Sequence, residues 1–341
     1  MSAQGKTPLE IFLDRHGEDD WSKVLEELLP SVHEVDRNAV RIWFAFFPLA
    51  LARAFERAED PAALAQKLLM QGEYRLRNQI DSSHTFLYGH RFWKRTKRVV
   101  TELASDPAAN TTEAPLASVV RDVAARVAEH KQVDASLTLG IAAVALMTLQ
   151  QVGLEAFGAA RGVMLLDEEH ARKSPERVLR ERAKDDRQGL FGFLRTTDKR
   201  WTVTFDENDS TACFKMFDRQ EIASAAPTHP RKDWPEVDPR CTPGEGPIPV
   251  QCRSASCGTC WVGVLGGAEK LSDVQERERR VMKQLGYVDT DEPRPLIRLS
   301  CQAQGMGAVS IVIPPWNGVF GKYLRAPKDG TQQTLEAEAS A

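Results

Sequence analysis

The sequence predicts an α+β fold in two domains, an N-terminal all-α helical domain and a C-terminal domain that mixes strands and helices. From residue 1 to 165 apolar residues recur at helical spacing, without the alternation typical of strands. From 166 to 198 the chain is densely charged in both signs, which predicts a solvated helix or an extended linker. From 199 to 322 the pattern changes to the two-residue period of strands. The last residues, 323–341, are polar and predict a disordered tail.

Helix signals follow one another through the first domain. Apolar side chains at positions i, i+3, i+4, i+7 and i+8 predict a first long helix; they are Trp21, Val24, Leu25, Leu28 and Leu29. Ser31 and Glu34 have the spacing of a capping box, so a second helix is expected to begin there. Asp60 and Pro61 suit the N-cap and first position of a third helix. Further helices are expected over 73–104 and 115–130.

One segment of this domain, residues 135–154, contains no charged residue. Its length is close to the roughly 20 residues that a membrane-spanning helix needs. Serine, threonine, glutamine and glycine residues dilute its apolar character, and it lacks an aromatic belt or a basic flank. We therefore expect a buried helix or an oligomer contact, with membrane insertion as the less favoured alternative.

The second domain begins with a predicted β-hairpin. Residues 201–205 and 211–216 alternate in polarity and are joined by a polar turn. A short helix is expected near 220–225, and the polar, proline-rich segment 228–247 predicts irregular structure. The remaining elements are expected to be a strand at 261–265, a helix within 271–288, and strands at 296–300 and 310–313.

Cysteines concentrate in the second domain, where five of the six lie between Cys241 and Cys301. Cys252, Cys257 and Cys260 have the spacing C-x4-C-x2-C, and Cys301 follows in the sequence Arg-Leu-Ser-Cys-Gln. This is the plant-type ligand spacing for a [2Fe-2S] cluster held by four thiolates. The residues between the first three cysteines are mostly small, which lets backbone N–H groups approach inorganic sulfide.

Zinc is the competing interpretation, because C-x2-C pairs also bind zinc. A structural zinc site usually has two such pairs, and Cys301 has no neighbouring cysteine to complete a second one. The spacing therefore favours the iron–sulfur cluster.

Residues 199–322 resemble the plant-type [2Fe-2S] ferredoxin domain, which has a β-grasp fold. The similarity is carried by the loop CRSASCGTC, the strand WVGVL that follows it, and the segment RLSCQ. The resemblance implies one-electron transfer, with Cys252, Cys257, Cys260 and Cys301 as the ligands of the cluster. It also implies a low reduction potential, roughly −400 mV for the plant type.

Two features depart from that family's pattern. Residues 228–247 look like an insertion before the cysteine loop, and we expect it to bring Trp234 and the spare Cys241 near a docking face. Residues 269–294 carry seven acids and six bases, so the strongly acidic docking surface of soluble ferredoxins is not evident. We expect Cys213 to be a small core residue and Cys241 a free loop thiol.

The helical domain offers weaker candidates. His84 and Tyr88 are neighbours on one helix face and predict a small polar cluster, with His90 directed elsewhere. A di-iron bundle would need Glu-x-x-His on two helices, which the sequence lacks. The stretch 90–98 is basic with interleaved aromatics; we favour a solvated face with Phe92 and Trp93 packed inward, and docking to a protein partner as the functional alternative.

Together these observations predict a one-electron transfer protein whose helical domain docks a redox partner or forms a homo-oligomer. The alternative is an electron-transfer subunit of a larger oxidoreductase or of a membrane- or quinone-associated complex. The sequence contains no nicotinamide or flavin fingerprint and no nucleophile elbow, so we expect no enzymatic activity of the chain by itself.

The amino-acid composition limits the expected partners and cellular location. The net charge of −3 gives no steering toward nucleic acid, and no nucleic-acid partner is expected. A cluster-based sensor that binds nucleic acid is therefore a third hypothesis, which the charge balance disfavours. The N-terminus has no secretory signal pattern, and six cysteines in 341 residues are too few for a disulfide scaffold. These features predict a cytoplasmic protein.

Overall fold

A computed structural model describes residues 5–106, 114–163, 166–184, 199–287 and 292–320. The helices of the first part, here called the helical region, are α1 (Pro8–Asp14), α2 (Glu18–Leu28), α3 (Glu34–Phe46), α4 (Leu49–Arg57), α5 (Pro61–Lys67), α6 (Trp93–Ser105), α7 (Leu116–Lys131) and α8 (Ser136–Ala159). A two-residue strand, β1 (Gln71–Gly72), and two 3-10 helices (Leu76–Gln79 and Tyr88–Phe92) lie between α5 and α6. Residues 73–104 were predicted to be helical, but the α-helix begins only at Trp93, and 73–92 form turns and the two 3-10 helices instead. A two-residue strand is too short to leave a periodic pattern.

Helix α8 forms the centre of the helical region. It packs against α1, α3, α4, α6 and α7, and the side chains from Thr138 to Leu149 are buried. Among the described residues it is the one helix long and apolar enough to cross a membrane, since its most apolar 18-residue stretch has a mean hydropathy of 1.7. However, 67% of that stretch is buried inside the protein. A core helix passes the same length and composition test, so this feature is weak evidence for a membrane span.

The beginning of α3 differs from the prediction. His33, not Ser31, is the N-cap, and its Nδ1 accepts a hydrogen bond from the Val35 N–H at 3.2 Å. Ser31 instead ends a short 3-10 helix (Leu29–Ser31). Pro30 lies within that 3-10 turn, so the chain turns before the helix begins. The predicted cap at Asp60 is confirmed, since its carboxylate accepts from the N–H groups of Ala62 and Ala63.

The C-terminal part contains a mixed five-stranded sheet. Its strands are β2 (Arg200–Thr204), β3 (Cys213–Phe217), β4 (Trp261–Gly266), β5 (Ile297–Leu299) and β6 (Val309–Val312), in the order β3-β2-β6-β4-β5. The central pair, β2 and β6, is parallel, and the other neighbours are antiparallel. Short helices α11 (Ile222–Ala225) and α12 (Trp234–Val237) follow β3, and α13 (Glu276–Leu285) packs against β5. The predicted α+β class and ferredoxin-like second part are confirmed.

The helical region packs directly on this sheet. Helix α3 lies against β4 at Gly263, where a Cβ atom would collide with Ile42. Nearby, the ring of Phe46 meets Trp261 edge-on at 4.9 Å, and Trp316 Nε1 donates to the Phe46 carbonyl at 2.6 Å. These residues belong to one continuous core, so the helical region supports the strand that follows the cysteine loop.

A small second sheet joins the two parts of the chain. Strand β1 of the helical region pairs with β7 (Trp316–Asn317), which follows the main sheet. The Val319 N–H also donates to the Leu68 carbonyl at 2.7 Å. Backbone hydrogen bonds therefore tie the last described residues to the helical region.

Part of the predicted charged linker contacts both the helical region and the C-terminal part. Helices α9 (Glu168–Ala171) and α10 (Pro175–Glu181) lead to Arg182, whose guanidinium forms a double hydrogen bond with Glu207 at 2.8 and 3.0 Å. Arg182 also donates to the Val35 carbonyl of α3 at 2.8 Å. The predicted boundaries near 165 and 199 stay predictions, because 164–165 and 185–198 lie outside the described residues, as does the predicted tail 323–341.

Candidate metal centre

The pairing of two strands brings Cys260 and Cys301 together. Cys260 immediately precedes β4, and Cys301 follows β5 by two residues. The strands are antiparallel with Trp261 opposite Leu299, and the Ser300 N–H donates to the Cys260 carbonyl at 2.9 Å. A separation of forty-one residues in the chain thus becomes a contact between the two thiols.

The cysteine loop (residues 252–260) directs its backbone toward these sulfur atoms. Arg253, Ala255 and Gly258 have positive φ angles of 51°, 55° and 70°. Such left-handed residues turn consecutive N–H groups to one side of a loop. The N–H groups of Ser254 and Ser256 point at Cys252 Sγ, at 3.5 and 3.3 Å.

The four thiols form two contact pairs, Cys252 with Cys257 and Cys260 with Cys301. Among the described residues no three His, Cys, Asp or Glu side chains are grouped as a single metal ion would require. A binuclear cluster has a different requirement, because its four thiolates are shared between two irons. Two pairs of thiols within one loop-and-strand arrangement fit that requirement.

Hydrogen bonding stabilises negative charge on the first pair. Burial alone would raise the pKa of Cys252, but hydrogen bonds from Ser256, Ser254 and Cys257 outweigh it and lower the pKa to about 5. Thiolates are the form of cysteine that binds metal. The loop is therefore already arranged around an anionic sulfur.

In the second pair, a hydrogen bond between the thiols shifts their pKa values in opposite directions. The Cys260 thiol donates to Cys301, which lowers the pKa of Cys301 to about 7 against the effect of burial. The same hydrogen bond, together with burial, raises the pKa of Cys260 well above its ordinary value. Metal binding would displace this proton, since both sulfurs must then be thiolates.

The two ends of the site differ in exposure. Cys260 and Cys301 are buried, whereas Cys252 and Cys257 are half-buried, and the Ser254 and Ser256 side chains between them are exposed. The Cys252–Cys257 end of the site is therefore the end closer to solvent.

Tyr287 supports the loop from the protein side. Its ring stacks on Trp261 at 4.2 Å with an interplanar angle of 10°. Its hydroxyl lies 2.8 Å from the carbonyl oxygen of Gly258 and 2.9 Å from that of Gly318. A Cβ atom at Gly258 would collide with Leu285 and approach the Tyr287 ring. The close packing at this position therefore requires a residue without a side chain.

A buried ion pair supports the strand that delivers Cys301. Arg298 in β5 forms two hydrogen bonds of 2.9 Å with the Glu278 carboxylate in α13, and both side chains are at most 1% exposed. Glu278 also accepts from the Leu299 N–H, and Arg298 donates to the Ser272 carbonyl. The sequence analysis missed this pair, although Glu278 stands in helical register with the buried Met282 and Leu285.

In the inserted segment, Trp234 and Cys241 are buried and are not exposed to a partner. Trp234 is buried against Phe205 and His229, at ring distances of 5.6 and 5.1 Å. Cys241 is a free thiol but buried, and burial raises its pKa to about 12. Cys213, predicted to be a core residue, is only half-buried at the start of β3.

The histidines of the helical region also differ from the prediction. His90 points at His84, with the two Nδ1 atoms 2.8 Å apart, and both rings are fully buried. Burial is the main cause that lowers the pKa of both, that of His90 to about 4. His84 packs on Trp93, so the pair is a neutral element of the core.

The basic stretch 90–98 is used mainly within the protein. Trp93 is fully buried, as predicted, while Phe92 is half-buried against the core. Lys97 donates to the carbonyls of Gly158 and Ala160 at the end of α8, and Arg91 donates to the His170 carbonyl. Lys94 and Arg98 are the exposed bases of this stretch.

Comparison with known protein families identifies the second part of the chain. Residues 244–304 match the family described as the 2Fe-2S iron-sulfur cluster binding domain. All four cysteines of the motif lie within the matched residues. No solved structure matches the chain. The second part of the protein is therefore a [2Fe-2S] cluster binding domain, and its predicted cofactor is confirmed.

Proposed function

We propose that this protein is a one-electron carrier whose [2Fe-2S] cluster is held by Cys252, Cys257, Cys260 and Cys301. The observation that carries the proposal is the meeting of these four thiols in two pairs inside the matched domain. When bound, a cluster of this class accepts and releases one electron at a time. The chain's own residues have three tasks around it.

The first task is binding. Cys252 and Cys257 hold one side of the site, and Cys260 and Cys301 hold the other. The N–H groups of Ser254 and Ser256 stabilise negative charge at Cys252, and the Ala255 N–H does so at Cys301. Such donors favour the more negative state and so raise a reduction potential.

The second and third tasks are exclusion of water and access for a partner. Trp261, Leu285 and Tyr287 cover the inner side of the loop and are at most 7% exposed. The half-buried Cys252 and Cys257 leave the other side close to solvent. A partner that contacts residues 253–256 would come within a few ångströms of two ligand sulfurs.

The helical region would dock the redox partner or form a homo-oligomer, and its contacts with β4 and β7 would keep the site in place. The rival function, a subunit of a larger oxidoreductase or of a membrane- or quinone-associated complex, draws its support from the apolar sequence of α8. That support is weakened because most of this helix is enclosed by other helices. None of the six cysteines, all of which the structure describes, forms a disulfide, which supports a reducing compartment such as the cytoplasm.

The direct test is analysis of the purified protein for iron, sulfide, visible absorption and the electron paramagnetic resonance of the reduced state. We expect two irons and two sulfides per chain, with reversible one-electron reduction. Cys301→Ser should lose the cluster or change its spectrum, whereas Cys213→Ser, at a half-buried cysteine outside the motif, should leave it unchanged. An unchanged signal in Cys301→Ser would refute the ligand assignment.

A further inference from the structure

The outer face of α13 is basic, although the surrounding segment is balanced in composition. Residues 269–294 contain seven acids and six bases. Three of these acids are engaged by arginines: Glu278 by Arg298, Asp273 by Arg294, and Glu292 by Arg41 of α3. Charge counted along the chain therefore misrepresents the charge that the helix presents to solvent.

Three bases occupy the solvent side of this helix. Arg277, Arg280 and Lys283 follow one another at a spacing of three and are all exposed. Residues at this spacing lie on one helix face, and six residues of helix extend about 9 Å. Glu276 is the exposed acid of the same helix. Among the residues that the structure describes, Arg277 and Arg280 have no ion-pair partner.

The C-terminal end of this helix borders the cysteine loop. The helix ends at Leu285, whose side chain closes on Gly258, and Tyr287 two residues later contacts the Gly258 carbonyl. Gly258 lies next to the half-buried Cys257. The helix that carries the basic face therefore ends beside the more exposed end of the site. A partner covering both would place its own redox centre near the ligand sulfurs.

The loop itself adds little charge of the opposite sign. Arg253 is exposed, and its guanidinium pairs with Glu245 and donates to Ser224 Oγ at 3.3 Å. Ser254 and Ser256 are neutral and exposed. The surface formed by α13 and residues 253–256 therefore has more exposed basic than acidic side chains among the described residues.

We propose that this surface docks a redox partner through an acidic face of that partner. The charge of α13 is opposite in sign to the acidic docking surface implied by the family resemblance. Complementary charge between protein surfaces steers encounter and can raise association rates by about 10- to 1,000-fold at low salt. The inference rests on the proposed function, because it concerns the partner to which the cluster passes its electron.

The test uses the cluster-loaded full chain and two haem proteins of opposite charge, the soluble domain of cytochrome b5, which is acidic, and cytochrome c, which is basic. One electron leaves the reduced cluster, and one ferric haem becomes ferrous. Rate constants are measured by stopped flow, and dissociation constants by calorimetry, at low and high ionic strength. The variant is Arg277→Glu with Arg280→Glu. The control, Lys215→Glu with Arg219→Glu, changes the net charge equally at exposed positions of β3 and of the turn after it, outside both α13 and the helical region.

We expect the α13 variant to react about tenfold more slowly with cytochrome b5 and to bind it more weakly, with the difference lost at high salt. The control should behave like the unmodified protein with cytochrome b5. The α13 variant should react faster with cytochrome c. Equal effects of the two double variants, or tighter binding of the unmodified protein to cytochrome c than to cytochrome b5 at low ionic strength, would overturn the proposal.

Two further outcomes are informative. Salt-dependent binding of a duplex oligonucleotide through α13, without charge selectivity between the haem proteins, would overturn the proposal and favour a nucleic-acid partner. Failure of the proposed function would look different, because the protein would then show no reversible one-electron reduction of the cluster. A reversible cluster without charge selectivity refutes only the docking surface.

Discussion

The hydroxyl of Tyr287 lies 2.8 Å from the carbonyl oxygen of Gly258, so a residue beyond α13 holds the peptide between two of the four cysteines. The same hydroxyl is 2.9 Å from the Gly318 carbonyl, next to β7. Burial, the main cause, raises the pKa of this phenol far above its ordinary value, so it stays a neutral donor. One side chain thereby connects the cysteine loop, the sheet and the segment bound to the helical region.

Replacing Tyr287 by Phe should keep the stacking on Trp261 and remove this donor. Leaving a buried carbonyl without its partner costs about 1–3 kcal/mol. We therefore expect a lower free energy of unfolding and faster bleaching of the cluster, followed by visible absorption after dilution into chelator. Tyr74→Phe, at a half-buried tyrosine of the helical region, is the control. Identical bleaching rates for the two variants would contradict the assigned role.

The pair of Glu278 and Arg298 should be essential to the delivery of Cys301. Glu278→Ala leaves a buried guanidinium without its carboxylate, which typically costs about 3–5 kcal/mol. We expect a large loss of stability in chemical denaturation and a low cluster content after purification. Glu276→Ala changes an exposed acid of the same helix and should cost less than about 1 kcal/mol. Equal losses in the two variants would show that the buried pair has no special role.

The contact of Gly263 with Ile42 should couple the helical region to the sheet. A Cβ atom at 263 collides with three atoms of the Ile42 side chain, so Gly263→Ala should cost about 1–3 kcal/mol by overpacking. Shortening the opposite residue in Gly263→Ala/Ile42→Ala should recover part of that loss relative to the sum of the single variants. The check is a double-mutant cycle in denaturant. Strict additivity of the free-energy changes would show that the two residues have no steric interaction.

A pH-dependent contribution to stability should come from Asp36 in α3. Burial raises its pKa to about 6, despite hydrogen bonds from the Gly89 and Tyr88 N–H groups. A raised acid pKa means that the folded state holds the proton more tightly than the unfolded state. This contribution is complete below about pH 4, the unfolded value, and is lost as the pH rises through about 6.

The measurement for Asp36 compares the unfolding free energy of the unmodified protein with that of Asp36→Asn across this range. The unfolding free energy of the unmodified protein minus that of Asp36→Asn should decrease by on the order of 2–3 kcal/mol between pH 4 and 6. Asp122→Asn, at an exposed acid of α7, serves as the control and should show no such trend. A difference that stays constant or grows with pH would refute the assignment.

Local patterns predicted a large part of this protein. The spacing of Cys252, Cys257 and Cys260, with the small residues between them, is a property of nine consecutive residues. Likewise, the β2–β3 hairpin and the apolar helix α8 are visible in contiguous stretches. Such features depend on backbone periodicity and on ligand chemistry, and both act over short chain distances.

The supporting contacts could not be predicted in the same way, because their partners are far apart in the chain. Glu278 and Arg298 are separated by 20 residues, Tyr287 and Gly258 by 29, and Trp316 and Phe46 by 270. The sequence by itself therefore determined the kind of cofactor, and it predicted the four thiols that are proposed to hold it. Tertiary structure decided which face of α13 is basic, since burial of Glu278 removes its charge from the surface. It also decided that the helical region packs on the sheet, because only packing shows which apolar faces meet.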